Sequence, residues 1–305
     1  MPPFADGASY LIGVCRPLEI VGDIIVSLST RTPILMGPAP RNADAPIGIF
    51  DSGIGGLSVM REVRALMPAE DLIYYADCAF CPYGTRPAEE ISARCLAIGE
   101  ELVTQGAKAL IVACNTACAV ALPELRDHFD VPIIGLEPAV KPATLLTRTQ
   151  RVAVLATPRT VASERLANLI RNYAHDVVVK TVPAPGLVEL VENGQTDGPE
   201  VERTLRHLLE PLLAWDIDVV VLGCTHYPFL RREIQRLLGS SVQIVDSGEA
   251  IARRTRVVLD ERGLGRDRDG SIGSLSVLTS GDADQVGTVS SQLLGLDVAA
   301  TAMRV

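Results

Sequence analysis

Aromatic residues make up only 4% of this 305-residue chain: one tryptophan, six tyrosines and five phenylalanines. The core must therefore be aliphatic and alanine-rich, and hydrophobic residues at 48% are plentiful enough to build it. Lysine is scarcer still, with Lys108, Lys141 and Lys180 the whole set. Few residues could serve as a Schiff-base lysine. Basic charge is in deficit, the formal net charge being -9. The chain thus lacks the clustered Lys and Arg with which a nucleic-acid-binding body neutralises phosphates. A small anionic substrate stays open, because N–H groups at helix N-termini hold carboxylates without any basic side chain. No apolar run approaches the roughly 18 residues of a membrane span. Leu18–Leu28 is moderately apolar, but Glu19 and Asp23 interrupt it and no charged segment precedes it, which is not the pattern of a secretion signal. Seven cysteines without such a signal fit reduced thiols, so a cytoplasmic protein is expected.

What is present is a regular alternation of short apolar runs and longer amphipathic stretches, the α/β signature. Residues 1–45 stand outside it as an N-terminal extension, expected to be poorly ordered or not native. Pro33, Pro38, Pro40 and Pro46 read as an extended linker, and Met36 offers an alternative start. From Pro46 onward, strands are expected at Ile47–Phe50, Leu72–Ala76, Ala109–Ala113 and Val131–Ile134, with helices at Leu57–Met67, Ala88–Gln105 and, following Cys114-Asn115-Thr116, to about Phe129. The scheme then restarts, with strands at Arg151–Leu155, Val177–Thr181 and Val219–Leu222 and helices at Val161–Tyr173, Glu200–Trp215 and Pro228–Leu238. A last strand, Leu275–Thr279, is expected to return to the first half. The strands opening the halves, counted at Ile47 and Val152, lie 105 residues apart and Cys114 and Cys224 lie 110 apart, a weak repeat at domain scale. The expected architecture is two similar three-layer α/β domains with pseudo-twofold symmetry and an active site in the cleft between them. The first would comprise residues 46–138 plus 246–295 and the second 139–245.

Cys114 and Cys224 each end an apolar run and are followed at once by polar side chains, in Cys114-Asn115-Thr116 and Cys224-Thr225-His226. A strand-to-helix turn sets the sulfur at the carboxyl edge of a sheet, where open parallel sheets bind ligands. It also supplies free N–H donors and should lower the thiol pKa from about 8.5 toward neutrality. A free cysteine is most often a small buried hydrophobe, the reading that suits Cys15, Cys95 and Cys118. Two acid/base thiols facing each other suit inversion of a Cα stereocentre: one removes a proton from one face and the other returns a proton to the opposite face. Asn115, Thr116, Thr225 and the turn amides could hold the substrate carboxylate as charge develops.

Asp51-Ser52-Gly53-Ile54-Gly55-Gly56 follows a strand and opens a helix. It fails as a dinucleotide fingerprint, because Ser58 takes the third glycine position, and no lysine makes it a P-loop. It reads as a tight turn or as a ligand loop whose glycines let backbone approach closely, with Asp51 and Ser52 meeting an ammonium group or a thiol. His226 could relay a proton to Cys224 or be a polar surface residue. Glu137, before Pro138, could play a matching part or be a solvated loop residue. Tyr83-Gly84 reads as a substrate lip. Cys78 and Cys81 form a C-x-x-C, but no second such pair or spaced histidine pair accompanies it, so no metal is expected.

Ile47-Gly48-Ile49-Phe50-Asp51-Ser52-Gly53-Ile54-Gly55-Gly56-Leu57, Pro82-Tyr83-Gly84, Ala113-Cys114-Asn115-Thr116 and Leu222-Gly223-Cys224-Thr225-His226-Tyr227-Pro228 resemble glutamate racemase, within the aspartate/glutamate racemase superfamily. The resemblance spans roughly residues 46 to 285. It implies conversion of L-glutamate to D-glutamate for peptidoglycan without a cofactor or metal. It further implies that Cys114 takes the proton from D-glutamate and Cys224 from L-glutamate, assisted by Asp51 and His226, with Glu137 a further polar partner. Asp51, Ser52, Tyr83, Gly84, Asn115, Thr116, Thr225 and His226 would bind substrate. The extension has no counterpart in the family pattern, and Cys78-Ala79-Phe80-Cys81 is more cysteine-rich than that pattern. The competing readings are an aspartate racemase, a catalytically silent regulatory binding protein and a C-x-x-C redox protein. The expected partner is glutamate alone, with no nucleic acid and no membrane, and the expected assembly is a homodimer.

Overall fold

The computed structural model describes residues 42–266 and 270–305. Residues 1–41, which carry Cys15 and nearly all of the proposed extension, lie outside the described residues. β1 (Ile47–Asp51) is buried along its whole length. An unbroken apolar run of this kind marks a strand covered on both faces, as in parallel sheets with helices on either side. β2 (Leu72–Ala76) and β3 (Ala109–Val112) flank it, with Ile49 in register with Tyr74 and with Ile111. β4 (Ile133–Gly135), β9 (Leu275–Thr279) and β10 (Ala300–Ala302) complete a parallel six-stranded sheet in the order β10-β9-β2-β1-β3-β4. The second sheet is also parallel, with β5 (Arg151–Ala156), β6 (Val178–Pro183), β7 (Val219–Leu222) and β8 (Gln243–Val245) in the order β6-β5-β7-β8. This is the order β2-β1-β3-β4 repeated, so the repeat read from spacing is a repeat of strand order. The molecule has two α/β lobes.

The period-two alternation of strand side chains divides the second lobe's core. Ala153, Leu155, Val220 and Leu222 face one apolar layer, packed by Leu187–Glu192 (α7), Pro199–Leu213 (α8) and Arg231–Leu238 (α9). Val152, Val154, Val219 and Val221 face the other, packed by Val140–Leu146 (α4) and Glu164–Tyr173 (α6). Three layers result. In the first lobe, α1 (Leu57–Leu66), α2 (Ala88–Thr104), α3 (Asn115–His128), α10 (Gly248–Glu261) and α11 (Ala283–Leu294) add to the six strands. Lys108 is buried beside this sheet, its Nζ donating to Glu70 Oε2 at 2.5 Å and to the Ala43 carbonyl at 2.6 Å.

The structure differs locally from the sequence reading. The helix expected over Val161–Tyr173 is two helices, α5 (Pro158–Val161) and α6, because Ser163 turns extended and its hydroxyl accepts the Leu166 N–H as an N-cap. The helix after Cys224 begins as a 3₁₀ turn over Tyr227–Leu230 and becomes α-helical at Arg231. α7, six residues between Gly186 and Asn193, was not expected. Neither was β10, a short strand at the sheet edge.

Candidate active site

β1 ends on Asp51, and the Ser52–Gly56 turn folds back over its carboxylate. The Ser52 N–H donates to Oδ1 at 2.7 Å and the Gly56 N–H to Oδ2 at 2.6 Å. From the second lobe, the Thr225 hydroxyl donates to Oδ2 at 3.1 Å. Burial pushes the Asp51 pKa up, and this outweighs the attraction of the nearby His226 cation and the hydrogen bonds it receives. Cys114 follows β3 as the extended N-cap residue of α3. Its sulfur accepts the Ala117 N–H at 3.4 Å and its thiol donates to Ser52 Oγ at 3.7 Å. The expected lowering of this thiol's pKa does not hold. Burial pushes it well up, the Asp51 carboxylate adds to the effect, and the single helix amide is too weak to reverse it.

Cys224 follows β7 across Gly223, ahead of the 3₁₀ turn that His226 opens, and is supported differently. Its sulfur lies 3.6 Å from His226 Nδ1, and His226 Nε2 lies 2.5 Å from Glu192 Oε1 at the end of α7. Glu192 Oε1 also accepts the Ile54 N–H of the first lobe at 2.8 Å. Burial by itself would lower the His226 pKa, but its bonds to Cys224, Cys81 and Glu192 hold it well above the ordinary value. Burial likewise opposes ionisation of Glu192, and the same histidine holds its carboxyl below the ordinary value. Both shifts describe an imidazolium paired with a carboxylate. A sulfur, a ring that can pass a proton and a group that orients the ring form the sequence of an activated acid/base centre.

The glycine turn lets this pair dock. A Cβ on Gly55 would lie 2.2 Å from His226 Nδ1, and one on Gly53 would lie 2.0 Å from Glu192 Oε1. Only glycine fits there without displacing the second lobe's charged side chains.

Ser52, Tyr83, Gly84, Cys114, Asn115, Thr116, Cys224, Thr225 and His226 line one cavity together with Pro82, Thr157 and Val188. Both thiols therefore open on the same space, one from each lobe. The Tyr83 hydroxyl does not reach into it, being bound to Asp77 Oδ2 at 2.5 Å, so the ring serves as wall. Asn115 Oδ1 is buried without a hydrogen-bond partner, an acceptor free for a bound molecule. The cavity's free volume is about 10 Å³, roughly the room for one water and far less than an amino acid needs. The lobes are closed on each other, held by Thr225–Asp51, by Ser58 Oγ donating to the Thr225 carbonyl at 2.8 Å and by Thr116 Oγ1 at 3.0 Å from Thr157 Oγ1.

Glu137 stands apart, a correction to its expected place beside the thiols. Its carboxylate binds Arg165 at 2.6 Å and its side chain is 51% exposed. It lines a different cavity of about 780 Å³, which contains neither thiol. Glu192 occupies the supporting position that the sequence reading gave to Glu137. Thr157 was also missed, although it lies one 105-residue repeat beyond Ser52.

A profile described as Asp/Glu/Hydantoin racemase matches residues 47–255. The chain belongs to that family. Among racemases of the family, the glutamate racemase of Pseudomonas syringae pv. tomato is 49% identical over 228 residues, 74% of this chain and 83% of that protein. The glutamate racemase of Deinococcus radiodurans is 50% identical over 250 residues, 80% of this chain and 84% of that protein. Solved structures agree. A Bacillus anthracis glutamate racemase isoform superposes with a TM-score of 0.80 at 31% identity, covering 87% of this chain and 99% of that one. Escherichia coli glutamate racemase, solved with L-glutamate and the activator UDP-MurNAc-Ala, gives 0.75 at 34% identity, with 85% and 97% covered.

Proposed function

We propose that this racemase interconverts L- and D-glutamate by a two-thiol mechanism without a cofactor, supplying D-glutamate for peptidoglycan precursors. The observation that carries the reading is the shared cavity of Cys114 and Cys224. In the L-to-D direction Cys224, as thiolate, removes the α-proton, and the carbanion flattens. Cys114, as thiol, then delivers a proton to the opposite face. The D-to-L direction exchanges the roles. His226, paired with Glu192, lies against the Cys224 sulfur as its proton relay, while Asp51 and Ser52 flank Cys114. Each well-placed acid/base group contributes roughly 10²–10⁴ in rate.

No lysine or arginine lines the cavity. The substrate carboxylate is held by N–H groups at the start of α3 and by the hydroxyls of Thr116, Thr157 and Thr225. Asn115 Oδ1 accepts from the α-ammonium. Because the closed cavity is too small for glutamate, residues 46–138 with 246–295 act as one domain that parts from 139–245 to admit it. The interlobe bonds of Thr116, Ser58 and Thr225 break and reform in each turnover.

No helix among the described residues is long and apolar enough to cross a membrane. The free thiols among those residues accord with a cytoplasmic enzyme. It acts as a homodimer, so light scattering should return about twice the 32.5 kDa chain mass. Circular dichroism on purified protein with no added cofactor tests the substrate. L-glutamate should lose its signal to a racemate and L-aspartate should not. A preference for aspartate would move the assignment to aspartate racemase, and silence with both would leave a binding protein.

A further inference from the structure

The cysteine-rich segment before the Pro82 lip has no part in the racemisation described above, yet it reaches the same histidine. Ligand atoms of Cys81, Glu192 and His226 all lie within 4.8 Å of one another. Cys81 belongs to the first lobe, between β2 and α2, whereas Glu192 and His226 belong to the second. The Cys78 thiol donates to Glu192 Oε2 at 3.7 Å, placing another sulfur beside the set. A cavity of about 380 Å³ has Cys78, Cys81 and Glu192 in its wall. It gives a hydrated ion a route distinct from the substrate cavity, which Cys81 does not line.

We propose that Cys81, Glu192 and His226 form an inhibitory site for a thiophilic divalent cation of the zinc class, which staples the two lobes closed. Thiolate, imidazole and carboxylate are together the donor set zinc prefers, and magnesium or calcium would avoid the sulfur. A tetrahedral zinc with bonds of about 2.0–2.3 Å spaces its ligands roughly 3.3–3.8 Å apart, so separations near the 4.8 Å limit contract by about 1–1.5 Å while the 2.5 Å His226–Glu192 pair opens by roughly 1 Å, leaving a fourth position for water. Coordination displaces the Cys81 thiol proton and the His226 imidazolium proton, both to solvent. The charges then balance, with one thiolate and one carboxylate against a divalent ion. Metal binding replaces the Glu192–His226 hydrogen bond with two metal bonds and ties the first lobe's lip to α7, so the lobes no longer part for substrate.

The inhibitory effect rests on the racemase reading, but the binding itself does not, and the test separates them. Full-length protein without substrate is titrated with Co²⁺, and thiolate-to-cobalt charge-transfer absorption is followed. Zn²⁺ is then added in competition. Wild type should bind one equivalent and show the band. Cys224→Ala should keep it, whereas Cys81→Ser and Cys81→Ala should lose it and bind Zn²⁺ at least about tenfold more weakly. Thermal unfolding of the metal-free variants checks that they are folded. In the activity assay, Zn²⁺ should inhibit wild type reversibly, and Cys81→Ser should need at least about tenfold more metal. No band in wild type, a band that survives in folded Cys81 variants, or a band lost in Cys224→Ala would each overturn the proposal. Cobalt bound at Cys81 in a protein that does not racemise glutamate would overturn only the functional reading.

Discussion

Glu192→Gln isolates the charge that the structure places behind His226. The substitution is nearly isosteric and its amide oxygen can still accept the Ile54 N–H, so the closed lobes should persist. What disappears is a charge-assisted hydrogen bond of 2.5 Å between side chains only 2% and 18% exposed. A hydrogen bond to a charged group contributes about 1.5–3 kcal/mol. If that stabilisation is used in the transition state, kcat/KM falls roughly 10- to 100-fold, at about 1.4 kcal/mol per decade. The fall must be equal for L- and D-glutamate, because the equilibrium constant of a racemisation is unity. The pH dependence supplies a second readout. Glu192 helps hold His226 above its ordinary value of 6.5, so its loss moves the alkaline limb of the activity profile to lower pH.

Stability should follow the same pair. The raised histidine contributes fully below pH 6.5 and loses its contribution as pH rises through the folded-state value. The lowered carboxyl contributes above pH 4.5 and loses its contribution as pH falls through its folded-state value. Urea unfolding should therefore show the largest difference between wild type and Glu192→Gln between pH 4.5 and 6.5, shrinking toward alkaline pH. A variant with kcat/KM within twofold of wild type and an unmoved alkaline limb would refute the role given to this carboxylate.

Gly55→Ala puts a methyl 2.2 Å from His226 Nδ1. A displacement of about 1 Å near the chemistry can cost on the order of 100-fold, so steady-state assays should show at least a tenfold loss of kcat/KM. Glu137→Gln changes an exposed group outside the thiol cavity, and the same assay should place it within twofold of wild type. Glu70→Ala strands the Lys108 ammonium in the core, 0% exposed beside a 2% exposed partner. Unfolding should show a loss of about 3–5 kcal/mol, and Glu70→Ala with Lys108→Met should recover part of it.

The elements that hold the thiols were readable because their signals are local. Ile47–Phe50, Ala109–Val112 and Val219–Leu222 are apolar runs followed within two residues by Asp51, Cys114 and Cys224, and in each case the structure puts a strand there. What escaped the sequence depends on docking between lobes. Glu192 lies 138 residues from the Ile54 amide it accepts and closes a helix too short to announce itself. Its function exists only once Gly53 and Gly55 let the second lobe approach. Glu137 also follows a strand, but its carboxylate turns to Arg165, and the direction of a side chain at a loop cannot be read from spacing. The protonation state of Cys114 is a balance between burial and a helix terminus, and position alone does not reveal the depth of burial.

The opposed thiols are tested most directly by proton exchange in heavy water, with each cysteine removed in turn. Wild type given L-glutamate and no cofactor should yield D-glutamate carrying deuterium at Cα. Cys114→Ser should still wash deuterium into L-glutamate while forming almost no D-isomer, and Cys224→Ser should do the same for D-glutamate. Racemisation at the wild-type rate by either variant, or D-glutamate formed with its original hydrogen retained, would contradict the two-sided mechanism.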